Sequence, residues 1–231
     1  MKFWKVVGLI AFVIAVIVGV EFLLSLPLAL WAPKEALESP IVNTLYSIFS
    51  YLLAILFIIY LPPKISKKIK PSSRESLGLS GLPTWTDIGL APVGYVVSIL
   101  IAMGFTALFN LIPWFDANQA QELGYSPYMV GAERAIAFIL LAVLAPIAEE
   151  IVFRGFLYGK LRIMVPKWLA IILTSLAFGL IHFQWNVGIS VFCMSVATCI
   201  LREITGTIYA GMLVHIINNG IAFYLVYVAG L

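Results

Sequence analysis

The sequence predicts an all-α fold, a polytopic transmembrane helical bundle of about seven spans, and three observations carry that prediction. Of 231 residues, 62% are hydrophobic and only 11% charged, whereas soluble domains carry about 25% charge. Mean hydropathy is +1.06. Apolar runs of about 20 residues, the length that crosses a hydrocarbon core roughly 30 Å thick, recur along the chain. A secreted disulfide scaffold, a disordered tail and a soluble nucleic-acid binder are excluded, because the net charge of +3 is small and the basic residues sit between apolar runs. The expected surroundings are membrane lipids, with no nucleic acid.

The first apolar segment, 4–30, belongs to an N-terminus that begins with Lys2 and Lys5 and then runs apolar, imitating a secretory signal. It exceeds the about 7–15 residues of a signal core and lacks a small-residue cleavage site, so it is read as an uncleaved span. The second, 41–61, leads into a basic connection from Pro62 to Thr86 that contains Pro62, Pro63, Pro71, Ser72 and Ser73. This connection reads as a loop lying near anionic headgroups. The third segment, 87–112, precedes a stretch from Trp114 to Gly131 with Trp114, Phe115, Asp116, Glu122, Tyr125 and Tyr128, read as interfacial. Segments 132–158, 168–183, 187–201 and 207–229 complete the set. With no internal repeat or low-complexity tract, residues 1–231 are read as a single integral membrane domain. Cys193 and Cys199 lie about 240° apart around one helix and cannot pair with each other.

Lys and Arg flanking short loops are retained on the cytoplasmic side. An N-terminus inside places eleven of the fourteen basic residues there: Lys2, Lys5, Lys64, Lys67, Lys68, Lys70, Arg74, Lys160, Arg162, Lys167 and Arg202. Only Lys34 and Arg134 fall outside, and Arg154 lies within a span.

An ionisable group inside a span costs at least about 2.5–3.5 kcal/mol, so it needs a partner, a polar cavity or a task. Three spans contain such groups. Glu150 and Arg154, four residues apart, share a helical face and can neutralise each other. Glu149 is turned about 100° away, and Pro146 is expected to loosen the helix just before the pair. His182 closes the fifth segment, with Gly179 allowing close helix approach beside it. His215 and Asn219 share a face of the seventh. Glu149, His182 and His215 lie 13, 15 and 13 residues from Arg162, Lys167 and Arg202. At about 1.5 Å per residue these are equal depths, roughly 20 Å from the flanking charge. Glu21 is read as interfacial or protonated and Asn218 as a packing hydrogen bond.

One carboxylate, two imidazoles and a carboxamide suit hydrolysis. Glu149 can take a proton from water, an imidazole can position that water or bind a metal, and His or Asn donors can hold an oxyanion. Glu150 with Arg154 reads as a supporting ion pair. Intramembrane Glu and His also suit a proton or ion transporter, although the repeats and paired broken helices typical of transporters are not seen.

Glu149-Glu150-x-x-x-Arg154, Phe178-x-x-x-His182 and His215-x-x-x-Asn219, in this order on successive spans, resemble the CAAX prenyl protease and bacteriocin-processing group of intramembrane endopeptidases. Arg202-Glu203-x-Thr205-Gly206 and Glu75-Ser76-Leu77-Gly78-Leu79 extend the resemblance over about residues 75–220. It implies catalytic roles for Glu149, His182, His215 and Asn219, with Glu149 and His182 activating water and His215 with Asn219 forming the oxyanion site. It also implies a lipidated or hydrophobic peptide substrate, such as the C-terminus of an isoprenylated CAAX protein, a site open to the cytoplasm, and the cell membrane of a prokaryote as location. Zinc held by Glu149, His182 and His215 is one version of the chemistry. The metal-free, glutamate-dependent version is favoured, since dedicating His215 and Asn219 to the oxyanion leaves few ligands. A non-catalytic immunity protein is the remaining alternative.

Overall fold

The computed structural model describes residues 2–33, 37, 39–65, 70–119, 125–126 and 129–230. Lys34, Lys67, Lys68, Glu122 and Tyr128, which entered the reading of charge and loops, lie outside the described residues. The chain is all-α, with helices α1 (Lys2–Trp31), α2 (Pro40–Ile65), α3 (Trp85–Phe109), α4 (Gly131–Met164), α5 (Lys167–Leu180), α6 (Trp185–Thr205) and α7 (Tyr209–Ala229). No strand occurs among the described residues. All except α5 are long and apolar enough to cross a membrane.

Local chemistry sets the ends. Pro40 opens α2 after an extended Ser39, where a missing N–H costs nothing. A reciprocal cap opens α3, with Asp87 N–H donating to Thr84 Oγ1 (3.2 Å) and Thr84 N–H to Asp87 Oδ2 (2.8 Å). Gly206, at φ 74°, ends α6. The fifth apolar run, expected to continue through residue 183, stops at Leu180 and gives a helix of only 14 residues. His182 caps that last turn through its own ring, Nδ1 to the Phe178 carbonyl at 2.8 Å, and Phe183 then takes φ 51°.

α4 and α6 are the inner helices, half buried, while the apolar windows of α1 and α3 are only 17% buried. Phe22, Leu23, Leu100 and Met103 are exposed on those outer helices, the surface required of a protein whose solvent is lipid. Tyr125, read as interfacial, is instead buried, its hydroxyl 3.1 Å from Thr44 Oγ1.

Where loosening was expected just before the acidic pair, α4 has a π-helical stretch, Ile139–Leu144; α-helical Ala145–Glu150 follows, and a second π stretch, Ile151–Tyr158, lies beyond the pair. Close helix approach at Gly179 is also present: a Cβ there would sit 2.8 Å from the Gly188 carbonyl oxygen, and one on Gly188 would sit 3.0 Å from the Gly179 oxygen. The α5–α6 hairpin is therefore closed backbone to backbone. Gly179→Ala is expected to lower stability by about 1–3 kcal/mol by forcing these backbones apart, read as a fall in the thermal midpoint in detergent; an unchanged midpoint would contradict the contact.

At the end of the bundle that carries Lys160, Arg162 and Arg202, the connection before α3 is latched across the helices. Arg202 donates to the Ser76 carbonyl (Nη2, 2.9 Å) and the Gly155 carbonyl (Nη1, 3.2 Å). Ile208 N–H donates to Gly78 O at 3.0 Å, Thr207 Oγ1 to Asp87 Oδ1 at 2.9 Å, and Tyr209 OH to Gly81 O at 3.0 Å. Glu203 accepts from Tyr158 OH (2.7 Å) and Arg162 Nε (3.1 Å). The Glu75–Leu79 and Arg202–Gly206 elements thus face each other, joined as one cap.

Candidate active site

Glu149 and Glu150 lie on the short α-helical turn between the two π stretches and point different ways. Glu150 is fully buried beside fully buried Arg154, Oε1 to Nη1 3.0 Å. Arg154 Nε donates to Thr198 Oγ1 of α6 at 2.7 Å, and its guanidinium carbon lies 4.3 Å from the centre of the Phe178 ring. The guanidinium thus meets the Glu150 carboxylate, the Thr198 hydroxyl and the Phe178 ring, while Arg154 Nη2 and Glu150 Oε2 are left without a hydrogen-bond partner. Glu150 also does something the spacing did not foresee: its Oε1 lies 3.2 Å from His215 Nδ1. A carboxylate only accepts, so Nδ1 carries the proton and Nε2 is turned the other way. There it lies 3.7 Å from Glu149 Oε2, farther than a hydrogen bond reaches.

Glu149, His182, His215 and Asn219 all line one cavity of about 870 Å³. Glu150 and Arg154 stand behind it. Gly211 leaves room for this arrangement, since a Cβ there would meet Glu150 Oε2 at 3.0 Å and Thr198 Cβ at 3.2 Å. Phe178, buried behind the cavity, packs on both imidazoles: its ring centre is 5.0 Å from that of His182 and 5.7 Å from that of His215, T-shaped to each. His182 Nδ1 is held by the Phe178 carbonyl, so in the neutral ring the free lone pair is on Nε2.

The amide of Asn219 has a backbone reason to be where it is. In the first π stretch Ala145 N–H bonds the Leu140 carbonyl, and the same five-residue step from Leu141 arrives at Pro146, which has no N–H. The Leu141 oxygen accepts from Asn219 Nδ2 instead, at 3.0 Å, while Asn219 Oδ1 accepts from Asn218 Nδ2 at 3.2 Å. One proton of the Asn219 amide remains for another acceptor. Asn219→Ala is expected to cost about 1–3 kcal/mol by orphaning the Leu141 oxygen. Adding Pro146→Ala, which restores an N–H, should recover most of that in a denaturation assay; equal stability of the single and double variants would refute the link.

Tyr51 was not found from the sequence. It comes from α2, outside the region of motif resemblance, and its hydroxyl donates to Glu149 Oε1 at 2.8 Å. The only signal for it was a phenol within an apolar span. Glu21, also on the cavity wall, accepts from the Tyr46 hydroxyl.

No three His, Cys, Asp or Glu side chains among the described residues are grouped as a metal ion would need. In the conditional zinc set Glu149, His182 and His215, His182 Nδ1 is held by a carbonyl and His215 Nδ1 by Glu150, which leaves Nε2 of each ring as the nitrogen a metal would use.

Residues 131–221, which include every one of these motif positions, match the family described as type II CAAX prenyl endopeptidase Rce1-like. Over 130 residues the chain is 31% identical to the UPF0177 protein YbdI of Lactococcus lactis subsp. lactis (strain IL1403), covering 56% of this chain and 67% of that one. The chain belongs to the Rce1-like family. A second relative, the uncharacterized protein YpbD of Bacillus subtilis (strain 168), is 26% identical over 144 residues, covering 61% of this chain and 71% of its own. No solved structure matches. Rce1-like membership together with six apolar helices makes this an integral, multi-pass membrane protein of a protease superfamily, in contact with lipid and peptide.

Proposed function

We propose that this Rce1-like protein is an intramembrane endopeptidase that cuts a peptide bond near the C-terminus of a hydrophobic or lipidated, in one form isoprenylated, substrate. The observation that supports it is the convergence of Glu149, His182, His215 and Asn219 on one cavity, with the Glu150–Arg154 pair bracing His215 from behind. Glu149 takes a proton from water as the water oxygen attacks the scissile carbonyl, with His182 Nε2 orienting that water. The oxyanion is held by the spare amide proton of Asn219 and by His215 Nε2 when the ring is protonated, each donor worth about 3–4 kcal/mol in hydrolases of known mechanism. The C–N bond then breaks and the proton on Glu149 passes to the departing amine.

Incubation of the purified protein with matched farnesylated and unfarnesylated C-terminal peptides, followed by mass spectrometry, tests this reading. Cutting of the lipidated peptide alone selects the prenyl-dependent form, equal cutting a broader one, and no cutting by the wild type with ion flux across proteoliposomes refutes the protease.

Tyr51 holds Glu149 from the side opposite His215. Tyr51→Phe removes one hydrogen bond to a charged group, worth about 1.5–3 kcal/mol. The expected result is a fall of about 10–100-fold in kcat with KM and thermal midpoint unchanged. A rise in KM alone would make Tyr51 a substrate contact instead.

A further inference from the structure

We propose that the site opens on the extracytoplasmic face, so that its substrate is the membrane-anchored part of an exported peptide and not a protein presented from the cytoplasm. The cavity wall is built from the ends of helices remote from the basic connections. Beyond Glu149 and His215 it continues to Glu21 in the last third of α1, Ala117 after α3, Phe183 and Asn186 in the α5–α6 turn, and Val226 near the end of α7. Among the described residues of this wall Phe183 is 82% exposed and Val226 46%, and we take this end as the mouth.

The other end is shut. The latch from Ser76, Gly78, Gly81 and Asp87 onto Arg202, Ile208, Tyr209 and Thr207 crosses the bundle where α4 ends and α3 and α7 begin. A second cavity at that end, about 350 Å³ and lined by Lys160, Arg162 and Arg202, includes none of the residues assigned to chemistry.

The basic residues orient these two ends. Lys64, Lys70, Arg74, Lys160, Arg162, Lys167 and Arg202 all belong to the latched end or the connections leading to it, and short-loop Lys and Arg stay in the cytoplasm. Arg134, near the start of α4, is the one described basic residue at the mouth end. Water and peptide then reach Glu149 from outside or laterally from the outer leaflet. A prenyl group is attached in the cytoplasm, so an outward mouth favours substrates carried across the membrane first. The sidedness stands on the cavity and the charges alone; the word substrate rests on the endopeptidase reading above.

The test is thiol labelling of the full-length protein in intact cells with a membrane-impermeant maleimide. Cys193 and Cys199 are fully buried and serve as the blank. Phe183→Cys at the mouth is expected to label at least about tenfold faster than Lys160→Cys before permeabilisation, and Lys160→Cys to react fully only after it, as impermeable hydrocarbon about 30 Å thick separates them. Leu111→Cys, 80% exposed just beyond α3, replaces the mouth reporter if Phe183→Cys fails to fold. Labelling of the mouth reporter only after permeabilisation, or not at all, overturns the proposal. In proteoliposomes, hydrolysis of an added quenched peptide with a charged, non-crossing tag should track the fraction of Phe183→Cys labelled from outside; tracking the unlabelled fraction also overturns it. Absence of hydrolysis even in detergent sinks the endopeptidase reading and leaves the labelling result to decide sidedness.

Discussion

Glu149→Gln is expected to reduce peptide turnover by about 10²–10⁴-fold, the contribution of a positioned general base, while leaving the fold intact. The amide keeps an oxygen for the Tyr51 hydroxyl, which bonds Glu149 Oε1 at 2.8 Å, and no buried charge is stranded because the Glu149 side chain remains 18% exposed to the cavity. What disappears is the capacity to receive a proton from water. Initial rates on the lipidated peptide, measured beside the thermal midpoint, check both halves of this expectation. Retention of more than about a tenth of the wild-type rate would remove Glu149 from the role of base, since general-base catalysis is worth at least tenfold more than that.

Arg154→Ala is expected to be the most destabilising single change in the protein. It deletes the cation 3.0 Å from Glu150, both side chains having no exposure, and leaves an uncompensated charge at a cost of about 3–5 kcal/mol. The paired substitution Glu150→Leu with Arg154→Met separates stability from function. Exchanging both ions for apolar groups of similar size is often neutral or stabilising, so the midpoint should return. His215 then lacks the Glu150 oxygen 3.2 Å behind its Nδ1, and activity should stay low. A double variant as active as the parent would show that Glu150 does not position the imidazole.

The parts of this site that could be read from the sequence are those where a cost exposed them. Glu150 and Arg154 stood out because charges inside spans are expensive and a four-residue spacing lets them meet, and the same reasoning drew attention to His182, His215 and Asn219. The bundle itself was evident from apolar run length. The structure adds what spacing cannot encode. Tyr51 is one of ten tyrosines and carries no local signature, because its role depends on how α2 lies against α4. The contact from Glu150 to His215 joins residues 65 positions apart. The short α5 was missed because hydropathy continues past Leu180, whereas the helix ends on a hydrogen bond made by the very histidine that lines the cavity. Pro146 marked a disturbance in α4, but its partner, the amide of Asn219, lies on the last helix.

The wide turn at Ile139–Leu144 holds one residue more than the ladder on either side would need. Trimming a single residue there would let the backbone tighten into ordinary register with little loss of hydrogen bonding, and the turns on either side would keep their facing, because a wide turn takes up its extra residue without added rotation. Glu149 and Arg154 would stay on the faces they occupy. Length is consequently more forgiving in this short stretch than in the regular α-helical turns beside it, where one residue more or less swings everything downstream by about 100°.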